Sequence, residues 1–356
     1  MSIFLFFYFL INGLFHFFLY TKLKIFFQFS SFAKIIYIFI SIFLILSPIV
    51  GRFLEKEGFI KISTIVFFIF FFWIAYLFIF TFFGVLTLPL NFIQSIKIGL
   101  NKIIFSLPIL IIILGIFQEK YLKVKHYEIR NEKIKKEIKI GFFSDLHLGI
   151  TQREGKVKEV IELFEKEKID ILLCGGDTLD SSYIKNLNGL EYIKNFNPRL
   201  GKYSVFGNHE WYVGAEKSKN ILEDLGFKVL KFESVEIEGN ITIAGAEDET
   251  AKYFSIAHNE KKFLNGLSDE KFIVYLRHRP PKEKLDKINL CLSGHTHNGQ
   301  FFPFGIITNL FFKYHSGFYN MSNNSYIYVS SGAGSWGPPI RFLTLRDISI
   351  FHLKSL

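Results

Sequence analysis

Five short clusters hold the side chains able to do chemistry. They are Asp145-Leu146-His147, Gly175-Gly176-Asp177, Gly207-Asn208-His209-Glu210, His278, and Gly294-His295-Thr296-His297. They offer carboxylate, amide and imidazole donors and no thiolate. That donor set suits borderline and hard divalent ions: Mn, Fe or Zn, with Ni and Co as further fits. The donors suffice for two ions sharing one carboxylate. Two ions roughly 3.5–4 Å apart can activate a water and clamp both the attacking and leaving oxygens of a phosphoryl transfer. Each residue alone has an ordinary explanation. Asp145 could cap a loop, Asn208 could serve the turn at Gly207, and His278 beside Arg279 and Pro280 could lie on the surface. Those readings leave one regularity unexplained: each cluster follows an apolar, strand-like run.

The runs are residues 138–143, 169–174, 202–206, 272–276 and 288–292. Strict alternation would point His295 and His297 in different directions, whereas a turn beginning at Gly294 would bring both to one rim. Between the runs, residues 157–166 have helical spacing, with Val160, Ile161 and Phe164 on one face. Residues 183–196, 215–225 and 259–266 also read as helices, the second closed by Gly226. Further short strands fall at 229–230, 235–237, 241–244, 326–330 and 348–353. Strand alternating with helix predicts a layered α/β fold, and the strand-rich later part predicts a second sheet. Such folds place their sites at the C-terminal ends of strands.

The front of the chain is different. Much of the 45-residue phenylalanine content lies there, in apolar runs at 3–20, 33–50, 65–86 and 103–117. A spanning helix needs roughly 17–25 apolar residues, so the runs predict four transmembrane helices, the shorter ones extended at the interface. A signal peptide is the alternative for the first run. It lacks a basic start and a small-residue cleavage site, which favours a retained anchor. His16 within it reads as an interhelical hydrogen-bonding residue rather than a ligand. The expected division is a transmembrane domain at 1–118, a charged linker or edge strand at 119–137, and an α/β domain at 138–356. Four spans put the N-terminus and the α/β domain on one side, with Arg52, Lys56, Lys61, Lys120, Lys123, Lys125 and Arg130. The opposite side has Lys22, Lys24, Lys34, Lys97 and Lys102. The balance predicts a multi-pass protein of the inner (cytoplasmic) membrane with its α/β domain in the cytoplasm.

Eight of the 42 basic and two of the 32 acidic residues precede Glu119, leaving 34 against 30 in the rest. That near-balance, with no basic stripe interleaved with aromatics, gives no expectation of a nucleic-acid partner. Cys174 and Cys291 sit in apolar runs and read as small buried residues rather than a disulfide or ligand pair. Glu247-Asp248-Glu249 reads as a solvated acidic loop. The aromatic segment Phe301, Phe302, Phe304, Phe311, Phe312, Tyr314 and Phe318 has two readings. It is core, or it is an apolar flap that dips into the bilayer or holds an acyl chain.

Taken in order, D-x-H, G-G-D, G-N-H-E, a lone His and G-H-T-H resemble the pattern of the calcineurin-like metallophosphoesterase superfamily, over residues 138–353. Residues 207–212, 294–300 and 334–339 are similar to its membrane-anchored YkuE-like group. The resemblance implies a four-layer αββα fold with a dinuclear site. Asp145, His147 and His297 would hold one ion; Asn208, His278 and His295 would hold the other; Asp177 would bridge them. A water activated between the ions would attack phosphorus in line. His209 would bind no metal, and would stabilise the transition state or protonate the leaving oxygen, with Asp145 a candidate to orient it. Asn298 departs from the Gly usual in this group. Arg279 and Arg341 stand as candidates for a substrate phosphate, a surface salt bridge being the other reading of Arg279. The expected function is hydrolysis of a phosphate ester or pyrophosphate bond at the membrane. Some relatives cleave the pyrophosphate of a UDP-sugar lipid precursor, so a UDP-diacylglucosamine is the specific expectation. The alternative is a metal-binding interaction module, or a membrane sensor without turnover. Retention of His209 weighs against the module, and the lack of charge within the spans weighs against a transporter.

Overall fold

Four helices take up the apolar front of the chain: α1 (Ser2–Leu23), α2 (Ser31–Lys56), α3 (Ile60–Leu86) and α4 (Gln94–Gln118). Each is long and apolar enough to cross a membrane. They outrun the apolar stretches because Lys56, Lys61, Lys97 and Lys102 are carried on helical turns rather than in loops. Long cationic stems can lie along a helix end while the ammonium reaches water. Inside this bundle Trp73 Nε1 donates to His16 Nε2 at 3.0 Å, joining α3 to α1. Tyr37 of α2 donates to the His16 carbonyl at 2.6 Å. The computed structural model describes residues 2–149, 154–180, 189–256, 259–321 and 324–356. It divides into two compact units, Met1–Phe117 and Gln118–Leu356.

The second unit is built on two six-stranded sheets. The first runs β1 (Leu122–Arg130), β12 (Arg346–Lys354), β2 (Ile138–Phe143), β3 (Ile171–Cys174), β4 (Lys202–Ser204), β5 (Phe227–Val229) in spatial order. The second runs β10 (Gly317–Met321), β11 (Ser325–Val329), β9 (Leu290–Ser293), β8 (Phe272–Leu276), β7 (Ile241–Gly245), β6 (Glu233–Ile237). β2, β3, β4 and β5 are parallel, as are β7, β8, β9 and β11. β12 runs antiparallel to β2, and β1 then pairs parallel with β12 along all nine residues.

The period of two sorts each strand's side chains between two cores. Ile140 and Phe142 of β2, and Ile171 and Leu173 of β3, meet Val274, Leu276, Leu290 and Leu292 between the sheets. Phe143, Leu172 and Cys174 point the other way, to Val157, Val160, Ile161 and Phe164 of α5 (Glu154–Glu167) and Leu222 of α8 (Ala215–Asp224). Ile273, Tyr275 and Cys291 form the outer core of the second sheet, against Phe263 and Leu264 of α9 (Glu260–Asn265). These are the four αββα layers, and both cysteines are buried and free. The helix expected over 183–196 is α6 (Leu190–Asn195) among the described residues; 183–188 lie outside them, as does His258. Three short elements escaped the sequence reading: α7 (Asn208–Val213), α10 (Phe304–Phe311) within the aromatic segment, and the strand β10 that follows it.

Candidate metal centre

The parallel strands deliver the chemistry to one edge. Asp145 and His147 follow β2, Asp177 follows β3, Asn208 and His209 follow β4, His278 follows β8, and His295 and His297 follow β9. The first five therefore hang from one sheet and the last three from the other. Their loops are stitched together by backbone bonds: Asp145 N–H to Gly176 O at 3.0 Å, His147 N–H to Asp177 O at 3.0 Å, and Gly294 N–H to His278 O at 2.9 Å. A Cβ at Gly207 would collide with the Asp177 carboxylate, and one at Gly294 with Ser144 and Asp145. Both glycines are there because the loops approach that closely.

Asp145, His147, Asp177, His295 and His297 all have positive φ, between 50° and 72°. Non-glycine residues seldom adopt that region, and each costs roughly 1–3 kcal/mol where the surroundings impose it. With both residues left-handed, the two rings of the H-x-H enter neighbouring groups of donors at the same edge. Lys168, Phe232 and Lys287 share this backbone state in ordinary loops, so what points to function is that five donor residues adopt it along one edge.

Two triads result. Asp145, His147 and His297 have ligand atoms within 4.8 Å of one another, and so do Asp177, His278 and His295. In the first, His147 Nε2 faces His297 Nε2 at 3.0 Å, and His297 Nε2 is 3.4 Å from Asp145 Oδ1. In the second, His278 Nε2 lies 3.2 Å from Asp177 Oδ2 and 3.1 Å from His295 Nδ1. Asp177 also faces the first triad, with Oδ2 3.8 Å from His147 Nε2. His278 Nδ1 is 2.9 Å from the Gly175 carbonyl, and donation there leaves Nε2 free to bind.

Electrostatics agrees with this geometry at three of the four imidazoles. Burial opposes the charge of His278, but Asp177 outweighs it and raises the ring to about 10, so ligation there must displace a proton. Burial, with the His209 charge, pulls His147 down to about 4. Burial, with the His278 and Arg279 charges, pulls His295 to about 3, and burial holds His297 well below the usual imidazole range. All three offer lone pairs at neutral pH, as ligation requires. Burial raises Asp145 to about 6. Burial alone would also raise Asp177, yet the His278 and His209 charges hold it well below the carboxylate range. Metal ions fit this set on an independent observation: Asn208 Oδ1 is buried here with no hydrogen-bond partner. A buried carbonyl oxygen left so is costly unless something binds it.

His209 is held differently. Its N–H donates to Asp177 Oδ1 at 2.8 Å, and its Nδ1 lies 2.5 Å from Asp180 Oδ1. Burial opposes its charge, but Asp177 and Asp180 outweigh that and raise it to about 9. The orienting carboxylate is thus Asp180, not Asp145, whose Oδ2 instead accepts from Ser144 Oγ at 2.5 Å and from the His295 N–H at 3.0 Å. The available signal was the spacing Asp177-Thr178-Leu179-Asp180, an acid three residues past the shared one. Tyr212 and Trp336, with ring centroids 5.4 and 6.4 Å from that of His209, form an exposed aromatic rim.

Glu210 ties the loops from beneath. Its fully buried carboxylate accepts the N–H groups of Asp177 (2.9 Å), Thr178 (2.7 Å), Leu179 (3.0 Å) and Gly207 (2.8 Å). Burial and the Asp177 charge push it up to about 7, against the pull of those donors. Glu210→Gln would set an NH₂ against two of the N–H donors. It is expected to lower unfolding stability by ~1–3 kcal/mol, read by denaturant unfolding of the purified protein. An unchanged midpoint would remove Glu210 from this role.

The two arginines part company. Arg279 pairs with Asp248 at 3.0 Å and reaches Thr250 Oγ1 at 3.2 Å, the salt-bridge reading of that residue. Arg341 requires a correction: it is fully buried. It donates to the carbonyls of Gly334 (2.5 Å), Gly332 (3.4 Å) and Leu345 (3.3 Å) and stands 3.3 Å behind His297 Nδ1. It is a strut for the His297 loop, with no donors turned to a substrate. The acidic loop is solvated only at Glu249. Glu247 and Asp248 are buried, Glu247 accepting from Trp211 Nε1 at 3.1 Å and Asp248 holding Arg279.

An αββα sandwich with two carboxylate–imidazole triads meeting at one aspartate has the build of a metallophosphoesterase domain. The calcineurin-like phosphoesterase family model matches residues 138–299. A metallophosphoesterase of Aquifex aeolicus is 40% identical, over 66% of this chain and 92% of its own. The metallophosphoesterase YkuE of Bacillus subtilis is 32% identical, over 61% and 79%. A transmembrane protein with metallophosphoesterase domain from Danio rerio is 31% identical over 65% of this chain, which spans 57% of that relative. The chain belongs to the calcineurin-like metallophosphoesterases, and with its four apolar helices it is a membrane protein.

Proposed function

We propose that this chain is a two-metal phosphoesterase anchored in the inner membrane, hydrolysing a phosphate ester or pyrophosphate bond in the cytoplasm. The observation that carries the reading is the meeting of two triads at Asp177, with His209 locked beside them by Asp180. Asp145, His147 and His297 would hold one divalent ion; Asn208, His278 and His295 the other; Asp177 both. Bound there, Mn, Fe or Zn would supply Lewis acidity and an activated water. The protein's own part is positional and protonic. The strained loops fix the donors before substrate arrives. His209 Nδ1 is held by Asp180, so Nε2 faces the centre and carries the proton that the leaving oxygen needs. Tyr212 and Trp336 wall that side. Residues 138–356 are the proposed catalytic domain, joined through 119–137 to a transmembrane domain at 1–118. The anchor and the apolar rim favour a lipid-linked substrate such as a UDP-diacylglucosamine.

The test is turnover by detergent-purified protein with Mn²⁺, on bis-(p-nitrophenyl) phosphate and on a UDP-diacylglucosamine, each with an EDTA arm. Turnover of both, abolished by EDTA and restored by Mn²⁺, is expected. Diester turnover alone would remove the lipid substrate, and no turnover with two ions bound would remove the enzyme reading.

The His209–Asp180 contact also sets a pH dependence. Activity that needs His209 protonated falls as pH rises through its pKa. Asp180 raises that pKa, so Asp180→Asn is expected to shift the alkaline limb of kcat toward lower pH. A pH–rate profile on the diester reads it; a limb that stays put separates Asp180 from the proton.

A further inference from the structure

The aromatic segment is core only in part: Tyr314 is buried under the second sheet and Phe318 packs between the sheets, whereas α10 stands out. In α10, Leu310 is 81% and Phe311 79% exposed, with Ile306 and Ile307 beside them. A second segment is bonded to this one: Phe302 N–H donates to Phe342 O at 3.2 Å, and Phe342 N–H to Gln300 O at 3.2 Å. It adds Leu343, 70% exposed, and Trp336, 49% exposed. Soluble surfaces seldom gather that many large apolar side chains, and a larger patch marks an interaction site. The combination of exposed leucine, isoleucine and phenylalanine on one short helix with a tryptophan at the margin suits a headgroup boundary.

The identity of the occupant follows from chain continuity. Gln118 is the last residue of α4, a candidate span, and its Oε1 accepts the N–H of Leu343 at 3.0 Å. The end of the last candidate span is therefore bonded into the apolar patch. Arg346 reinforces the tie, donating to the carbonyls of Glu119 (2.8 Å) and Lys120 (3.2 Å). We infer that α10 and the 336–345 segment form a monotopic face that lies in the lipid headgroup region of the membrane carrying the four helices.

This face borders the metal centre. The Phe312 ring, directly after α10, is 5.5 Å from that of His295, and the Trp336 ring is 6.4 Å from that of His209. A phosphorus at headgroup depth would reach the centre from this side. That consequence for substrate rests on the phosphoesterase reading; the membrane face itself does not.

The test reads depth rather than turnover. Leu310→Cys and Leu343→Cys are labelled with an environment-sensitive nitrobenzoxadiazole in the full chain, reconstituted into phosphatidylcholine–phosphatidylglycerol vesicles. Cys174 and Cys291 are buried and leave the label to the new site. Both positions are exposed, so substitution leaves the core intact. Lys228→Cys, exposed on edge strand β5, is the control. Blue-shifted emission at 310 and 343, quenched by doxyl-labelled phospholipid and shielded from aqueous iodide, is expected, with neither effect at 228. Iodide access equal to the control would overturn the inference. So would a blue shift that doxyl lipid does not quench, because another protein chain would then cover the face.

Discussion

His209→Ala is expected to keep its complement of metal and lose ~10²–10⁴-fold in turnover, the usual contribution of a placed proton donor. The two halves of that outcome have separate causes. His209 Nε2 is 4.0 Å from Asp177 Oδ2 and within ligand reach of His147 and Asp177, so geometry alone would let it bind an ion. Its Nδ1 contact with Asp180 and its rise to about 9 favour the protonated ring. His278 is raised as well, but its Nδ1 rests on the Gly175 carbonyl and its Nε2 faces both Asp177 and His295. The lowered His147, His295 and His297 are the reverse case. Metal analysis beside steady-state rates on the diester decides it. Loss of one ion with the turnover would make His209 a ligand, and full activity would leave it without a role.

Asp177→Asn is expected to be more severe. It should lower metal affinity by more than the ~10–100-fold typical of changes to residues that only support a ligand. Turnover should fall to background at ordinary Mn²⁺ concentrations. One carboxylate serves both triads, facing His278 at 3.2 Å and His147 at 3.8 Å. The His278 and His209 charges keep it ionised despite complete burial, and an amide supplies the shape without the charge. The same substitution leaves two buried imidazoliums short of their counter-charge, so a modest loss of stability accompanies it. Isothermal titration with Mn²⁺ measures the affinity. Two ions bound at unchanged affinity would refute the shared-ligand assignment.

The ligand-bearing strands were legible because burial on both faces leaves a near-continuous apolar run, as in Ile138–Phe143 and Phe272–Leu276. The residues just past them were legible because parallel strands end at one edge. Asp180 was not. Its importance comes from a left-handed bend at Asp177 that turns the next residues back toward His209, and periodicity says nothing about such bends. Arg341 was misread for a related reason. A guanidinium near the site suggested a phosphate ligand, but the loop folds under His297 and its carbonyls consume the donors. Glu247 and Asp248 misled as well: adjacent acids suggest solvent until Trp211 and Arg279 are seen to hold them inside. In the aromatic segment composition could not separate core from surface, since α10 is apolar on the face it exposes.

Each triad draws members from both sheets: Asp145 and His147 with His297, and Asp177 with His278 and His295. Bound ions would therefore rivet the sandwich along one edge, and the supply of metal would enter the lifetime of the protein. At a free concentration 100 times the dissociation constant, each ion adds about 2.7 kcal/mol to the folded state. A cell starved of that metal would hold a looser domain, opened more often to its proteases. The abundance of the chain would then fall with metal availability even where its synthesis did not change.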